Sequence, residues 1–196
     1  AWDPPRVPDE WAYRSLAELP AAETAAPPSV GPIDREEIRI PVRDTVLDGT
    51  VVAPREPGRY PAVVFVHGAG RGSRSALIDQ AEYLASVGVV ALVYDKRTTG
   101  YSFANRDFDL LAEDALAAVH MLRERADVDP DRMGLWGVSE GGWVVPIAAA
   151  RSSDVTFTIL VSAPNVSPQS QAAWAFDDNL RRMGAPAGLR RAMLLA

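Results

Sequence analysis

The stretch Leu135–Gly142, which reads LWGVSEGG, decides how the rest of this sequence is interpreted. It follows a short apolar run that begins at Met133 and precedes the helix-length apolar segment Trp143–Ala150. An apolar run, then Gly-x-Ser-x-Gly, then a helical segment predicts a strand, a sharp turn and a helix, with Ser139 at the apex. Glycine lacks a Cβ and therefore tolerates the close backbone approach that such a turn requires. Unpaired N–H groups and the helix dipole favour negative charge at a helix N-terminus, so Ser139 is a candidate nucleophile.

The composition limits the classes of protein to consider. The 196 residues are 47% hydrophobic and 23% charged, which is typical of one soluble globular domain. The net charge of −6 comes from interspersed acidic and basic residues, so we expect no nucleic-acid surface, which needs a clustered basic face. No apolar run is long enough to span a membrane. The sequence has no cysteine and only two histidines, His67 and His120, which excludes thiolate and histidine-rich metal sites.

The first 32 residues are rich in proline and are interpreted as an arm. They should be extended where the prolines cluster, with a helical turn or two near Asp9–Leu19. Trp2, Trp11 and Tyr13 either pack the arm on the domain or line a site, and packing is the favoured alternative because aromatic side chains normally pack. The sequence has no initiator Met and no signal-type apolar region, which fits a processed, secreted chain without assigning a location.

Residues 33–165 alternate between strand-like and helix-like segments, which predicts an α/β core. Strands are predicted at Glu37–Val42, Thr45–Val52, Pro61–Val66, Val89–Tyr94, Met133–Trp136 and Val155–Val161. The first two should be antiparallel and joined by turns, and the second contains the turn-like dipeptide Asp48-Gly49. Helices are predicted at Ser75–Val87, Asp107–Ala126 and Trp143–Ala150. Residues 166–196, with helices at Gln169–Met183 and Ala187–Ala196, are interpreted as the beginning of a helical cap.

The loop His67–Gly70, with the sequence HGAG, follows a continuous apolar strand. A loop in this position can supply one backbone N–H to an oxyanion, and the residue after the nucleophile supplies the other. We therefore assign the two donors to Ala69 and Glu140. His67 is either a catalytic base or a structural hydrogen-bonding residue, and the structural role is favoured because its loop serves the oxyanion.

A second polar loop, Asp95–Ser102, lies at the end of the predicted strand Val89–Tyr94. Loops at the carboxyl ends of parallel strands line the ligand crevice of an open sheet. Lys96 and Arg97 could steer an anionic substrate. The favoured alternative is that Asp95 and Arg97 brace the loop through local ion pairs, because such pairs are common in loops.

Three motifs, His67–Gly70, Asp95–Gly100 and Leu135–Gly142, occur in the order found in the α/β-hydrolase superfamily. They resemble most closely the bacterial carboxylesterases of the serine aminopeptidase-like and dienelactone hydrolase-like branches, over residues 38–163. The resemblance implies a mostly parallel sheet with helices on both faces, a serine nucleophile, no metal and no cofactor. It also implies hydrolysis of a small-molecule ester through an acyl-enzyme. Thr98 stands where that loop more often carries glycine.

The resemblance further implies an acid and then a histidine after the nucleophile. The sequence has no histidine after Ser139, and the acids Asp154, Asp177 and Asp178 do not follow predicted strands directly. The strand Val155–Val161 would then be the open edge of the sheet, where an apolar strand promotes aggregation. We therefore expect a second polypeptide or a C-terminal fragment to complete the fold and to supply the acid and the base.

Two other functions stay open at this stage. A serine peptidase or amidase could use the same fold, although nothing in the sequence marks an anchor for a free amine. A non-catalytic binding module would explain the missing histidine. Against it stand Ser139 and the glycines around it, which a binding protein has no need to retain.

Overall fold

The computed structural model describes residues 31–102 and 104–194. Trp2, Trp11, Tyr13 and nearly all of the proline-rich arm lie outside the described residues. The strands are β1 (Ile33–Pro41), β2 (Val46–Pro54), β3 (Tyr60–Val66), β4 (Val90–Tyr94), β5 (Val128–Val138) and β6 (Phe157–Val161). The helices are α1 (Ile78–Ser86), α2 (Phe108–Arg123), α3 (Gly141–Arg151), α4 (Pro168–Arg182) and α5 (Ala187–Leu194). All strands and helices predicted in this part of the chain are present, except that a short 3-10 helix, Arg74–Ala76, replaces the first turn before α1.

The strands form one sheet in the order β1-β2-β4-β3-β5-β6. The pairs β1–β2 and β2–β4 are antiparallel, and the pairs from β4 to β6 are parallel, so the predicted mostly parallel sheet is confirmed. The turn between β1 and β2 is closed by a 3.0 Å bond from the Val42 N–H to the Thr45 carbonyl. The turn-like dipeptide Asp48-Gly49 lies inside β2 instead, where both residues pair with β1. A side chain at Gly49 would be crowded there, since its Cβ would lie 3.1 Å from Ile40 Cδ1. Close strand packing, and not a turn, therefore explains this glycine.

The central strands bury both of their faces, as their continuous apolar sequences predict. Successive side chains of a strand point to opposite faces. Val64 and Val66 of β3 join the core under α2 and α3, whereas Val63 and Phe65 join the core under α1. Helices therefore cover both faces of the sheet, and the carboxyl ends of β3, β4 and β5 lie at one edge.

Strand β6 ends the sheet, which confirms the expected apolar edge. It pairs with β5, and within the described residues no strand lies on its other side. All five of its residues are exposed, including Ile159 and Leu160 at 41% and 45%. Beside it, Phe65, Trp136 and Ile159 line an apolar groove on the α1 face of the sheet. A strand that is apolar, exposed and unpaired on one side is a surface on which further chain can pair.

The loop after β4 is braced differently from the sequence prediction. The Arg97 side chain is fully buried and forms two 2.6 Å hydrogen bonds with both carboxylate oxygens of Asp114 on α2. It also reaches Asp44 at 2.9 Å. Asp95 binds Arg74, at 2.5 Å. Both residues therefore brace the loop through ion pairs, as predicted, but their partners are distant in sequence, so the prediction that the pairs are local is wrong. The hydrogen bond with Asp114 raises the pKa of Arg97, and burial raises the pKa of Asp114.

Replacing Asp114 should destabilise the fold, because D114A leaves a buried guanidinium without its main counter-ion. Since Asp44 still binds Arg97, we expect a loss near the low end for a broken buried pair, about 3 kcal/mol of unfolding free energy. The matched control is D109A on the same helix, which removes an exposed pair with Arg151 and should cost at most about 1 kcal/mol. Urea denaturation of both variants measures the difference, and equal losses would contradict the prediction.

Candidate active site

Ser139 lies between the end of β5 and the start of α3, at the predicted apex. Its φ of 51° is in the left-handed region, which an L-residue other than glycine adopts only at a cost. Two hydrogen bonds hold it there: its N–H donates to the Val161 carbonyl at 3.0 Å, and its carbonyl accepts from the Gly142 N–H at 2.8 Å. The sharp turn that the sequence predicts is therefore present, with Ser139 at its apex and directly before the N-terminus of α3.

The glycines around Ser139 are required by crowding. A Cβ added at Gly137 would lie 2.7 Å from the Gly141 carbonyl oxygen, and one at Gly141 would lie 2.8 Å from the Val66 carbonyl oxygen. Real Cβ atoms do not approach backbone this closely, so a side chain at either position would push β5, α3 or β3 apart. The Gly-x-Ser-x-Gly pattern is thus explained by steric exclusion on both sides of the serine.

The loop His67–Gly70 borders the serine. A Cβ at Gly68 would lie 3.5 Å from Ser139 Cβ and 3.4 Å from the Val138 carbonyl oxygen. In residues 31–102 and 104–194, no acceptor is bonded to the N–H of Ala69 or to the N–H of Glu140. One of these backbone donors belongs to the residue directly after the serine, and the other belongs to the residue directly after Gly68, which borders the serine.

His67 is arranged as a structural residue. Its side chain is buried, and Nε2 lies 2.5 Å from the Tyr94 carbonyl oxygen, to which it donates in the neutral form. Burial is the main reason that the pKa of His67 is lowered from its ordinary value, and the Tyr94 carbonyl opposes that effect. Gly72 closes over the ring, because a Cβ there would lie 2.4 Å from His67 Cγ. This geometry agrees with the structural alternative and not with a base for Ser139.

The other acid and base candidates are also engaged elsewhere. His120, the second of the two histidines in the sequence, is exposed on α2. The three aspartates that follow Ser139 are each paired with arginine, namely Asp154 with Arg123, Asp177 with Arg190, and Asp178 with Arg181 and Arg182. The described residues therefore provide no histidine and no strand-end acid beside the serine.

Lys96 is not a surface cation, and neither is Arg97, so the structure agrees with the favoured alternative, a braced loop, and not with steering of an anionic substrate. The Lys96 side chain is 3% exposed, and its Nζ lies 2.5 Å from Glu140 Oε1 and 2.9 Å from the Gly68 carbonyl oxygen. The Glu140 side chain is 1% exposed. Burial lowers the pKa of Lys96, and the hydrogen bond with Glu140 opposes that effect. A buried ion pair therefore lies directly behind the turn and the loop.

Tyr101 completes this buried cluster. Its hydroxyl donates to Glu140 Oε1 at 2.7 Å and accepts from the Gly70 N–H at 3.4 Å. The Lys96 ammonium lies 3.9 Å from the centre of the tyrosine ring, within the range of a cation–π contact. Burial raises the pKa of Tyr101 to about 12, with further contributions from Glu140. Arg106 Nε lies 3.4 Å from Glu140 Oε2.

The sequence prediction missed these buried charges, although two of them leave a signal. Asp114 interrupts the apolar stripe of α2, and a carboxylate within an apolar stripe indicates a buried partner. Glu140 is a charged residue between glycines that must pack closely, so its side chain also enters a crowded region. Neither signal identifies which cation lies opposite.

Comparisons with known proteins agree with this architecture. Esterase EstD of Thermotoga maritima is 36% identical over 140 residues, which cover 66% of this chain and 33% of that protein. The carboxylesterase EstE1 from a metagenomic library is 25% identical, with a TM-score of 0.57 over 75% of this chain and 53% of that one. A dienelactone hydrolase structure from Klebsiella pneumoniae is 16% identical with a TM-score of 0.60, over 70% of this chain and 62% of that one, and shows the fold alone. The chain spans between a third and half of the length of the first curated relatives that it matches.

A family model described as serine aminopeptidase, S33, matches residues 59–188. That range begins just before β3 and contains the loop His67–Gly70, the buried cluster and the turn at Ser139. It covers about two thirds of the sequence and includes all three motifs of the sequence analysis, His67–Gly70, Asp95–Gly100 and Leu135–Gly142. No helix in the part of the chain that the structure describes is both long and apolar enough to cross a membrane. This chain is a member of the serine aminopeptidase S33 family of α/β-hydrolases.

Proposed function

We propose that this chain carries the nucleophile of a serine hydrolase that acts on carboxylic esters through an acyl-enzyme. The observation that carries the proposal is the left-handed φ of Ser139 at the start of α3, beside two backbone N–H groups without acceptors. Backbone strain of this kind persists where the surrounding structure enforces it, and it concentrates at functional sites. Relatives named as an esterase and a carboxylesterase support the choice of ester substrates.

In the proposed reaction, Ser139 Oγ attacks the carbonyl carbon of the ester. Its proton passes to a histidine, and that proton then leaves with the alcohol as the C–O bond breaks. Water attacks the resulting acyl-serine, gives its proton to the same histidine, and releases the acid as the serine hydroxyl is restored. The Ala69 and Glu140 N–H groups stabilise the oxyanion in both steps, and one such donor is worth about 3–4 kcal/mol.

The histidine and the acid are proposed to come from a segment beyond the described residues, either a second polypeptide or a C-terminal fragment. The support is the unpaired edge of β6 and the apolar groove beside Ile159, which together offer further chain a surface for pairing and packing. We also propose three divisions, an arm at 1–32, a core at 33–165 and the beginning of a cap at 166–196. In support of the last boundary, the Trp143 indole N–H donates to the Val166 carbonyl at 2.9 Å, where the chain leaves the core for α4.

Hydrolysis of amides is the second candidate function. The matching family model is described by an aminopeptidase, and the proposed chemistry at Ser139 differs only in the leaving group. The segment that would distinguish an alcohol from an amine as the leaving group is the proposed cap.

Replacing the proposed nucleophile should abolish covalent labelling. In the full-length protein, S139A should remove reaction with a fluorophosphonate and reduce ester hydrolysis by at least about 10⁴-fold, as for other triad serines. The matched control is S162A, because Ser162 is also a serine with a left-handed φ, at 50°. Labelling that persists in S139A would exclude this serine as the nucleophile, and no labelling of the wild type would support the binding-module alternative.

The substrate class is tested with the same preparations. Two substrates are compared, a p-nitrophenyl ester of a short acid and an aminoacyl p-nitroanilide. Both are assayed at the same concentration of active sites, which is measured by fluorophosphonate titration. A higher kcat/KM for the ester supports the proposal. A higher kcat/KM for the anilide assigns the amidase function instead.

The completing segment should protect the edge of the sheet. We expect the amides of β6 that face away from β5 to exchange with solvent faster in a 196-residue chain than in the full-length protein, because pairing removes them from water. Hydrogen exchange with mass spectrometry measures this difference, and α2 serves as the internal control. A monomeric 196-residue chain with the esterase activity of the full-length protein would exclude the proposed segment.

A further inference from the structure

We propose that Lys96, together with Glu140 and Tyr101, positions both N–H groups of the oxyanion site. These three side chains are positioning residues, because they contact the backbone of the site and not the reacting atoms. The inference rests on the proposed function of Ser139. It adds which side chains fix the Ala69 and Glu140 N–H groups relative to each other.

The first part of the argument concerns one peptide group. The Lys96 ammonium donates to the Gly68 carbonyl oxygen at 2.9 Å, and this carbonyl belongs to the same peptide unit as the Ala69 N–H. A trans peptide is planar, and its C=O and N–H point in opposite directions. Fixing the carbonyl toward Lys96 therefore also fixes the direction of the Ala69 N–H. This peptide lies beside the serine, because a Cβ at Gly68 would lie 3.5 Å from Ser139 Cβ. The hydrogen bond to the carbonyl also polarises the peptide and strengthens its N–H as a donor.

The second part concerns the residue that supplies the other donor. Glu140 offers its N–H at the start of α3, and its side chain runs back to the same ammonium at 2.5 Å. One cation therefore contacts the peptide of the first donor and the side chain of the residue that carries the second. Glu140 is 44 positions from Lys96, so this contact joins two separate segments of the chain.

Tyr101 adds a second connection between the same two segments. Its hydroxyl lies between Glu140 Oε1, at 2.7 Å, and the Gly70 N–H, at 3.4 Å. Gly70 has a φ of 88° and ends the loop that begins at His67. The loop is thus tied to the Glu140 carboxylate on either side of Ala69, through Lys96 at Gly68 and through Tyr101 at Gly70.

A purely structural ion pair would not have this arrangement. The pair of Arg97 with Asp114 is also buried and also connects the loop after β4 to a helix. Within the described residues, however, Asp114 forms its hydrogen bonds with Arg97 and none with the loop at 67–70 or the turn at Ser139. Lys96 and Arg97 are neighbours in sequence, but their carboxylate partners lie in different parts of the molecule. The Arg97–Asp114 pair, which is as buried as the Lys96–Glu140 pair and also joins one cation to one carboxylate, therefore serves as its control.

The principal test is the variant K96M in the full-length protein. It keeps the length of the side chain and removes the ammonium, so the Gly68–Ala69 peptide loses its anchor. Displacement of a catalytic group by about 1 Å can reduce turnover about 10²-fold, so we expect kcat to fall by roughly 10- to 100-fold. KM should change by less than about threefold, since the substrate ground state makes little use of these donors.

A transition-state analogue separates positioning from general destabilisation. An aryl boronic acid forms a tetrahedral adduct with the serine and presents an oxygen to the donors, so its Ki should rise in K96M by the same factor as kcat falls. D114N is the matched control: it should lower unfolding free energy but leave kcat and Ki per active site unchanged. The number of active sites is counted in each sample by exhaustive fluorophosphonate titration.

Two further variants keep the test decisive if K96M does not fold. K96M/E140Q removes both buried charges, which a fold often tolerates better than one unpaired charge, and it keeps the backbone N–H of residue 140. It should show the same loss of kcat and of boronate affinity. Y101F removes only the second connection and should show a smaller loss in the same direction.

The outcomes are distinct. A normal kcat and Ki per active site in all three variants, or losses that match those of D114N, overturn the inference. A rise in KM alone would assign Lys96 to substrate binding and also overturn it. Failure of the proposed function appears separately, as wild-type activity that persists in S139A, whatever the result at Lys96.

Discussion

The close approach of backbone segments under Ser139 is the constraint on which the rest of the structure depends. Strand β5 ends, the chain reverses, and α3 begins within a space where Gly137 and Gly141 leave no room for a side chain. The first turn of α3 lies directly against the end of β3, so closely that a Cβ at Gly141 would clash with the Val66 carbonyl oxygen. The loop that follows β3 then has to begin beside the serine, which brings His67–Gly70 to the site without any direct bond to the serine side chain.

This crowding explains why charged side chains are buried nearby. Glu140 occupies the helix position directly after the serine, so its side chain enters the packed region and requires a cation. Lys96 and Arg97 follow the buried strand β4 and enter different regions, one behind the turn and one under α2. Each makes more than one polar contact, and that multiplicity offsets the cost of removing a charge from water. Rigid contacts of this kind fit the proposed oxyanion site, in which the backbone donors have to be in place before substrate binds.

The sequence predicts the parts of this structure that depend on local pattern. Continuous apolar runs predicted β3 and β4, the spacing of apolar residues predicted α2, and the glycines predicted the turn at Ser139. The predictions that failed concern partners distant in sequence. Arg97 pairs with Asp114, 17 positions away, and not with Asp95 two positions away, because helix packing and not chain proximity decides which carboxylate is buried beside it. Asp48-Gly49 has the chemistry of a turn, but strand packing overrides it.

The bond from the Ser139 N–H to the Val161 carbonyl connects the proposed nucleophile to the last residue of β6. That carbonyl belongs to the outermost strand, which is held on one side only and opens more readily than the centre of a sheet. Each opening of β6 would break a hydrogen bond that holds the Ser139 backbone, so the geometry of the turn depends on the local stability of this edge strand. Chain that pairs with β6 would therefore also stabilise the backbone of Ser139, without contacting that residue.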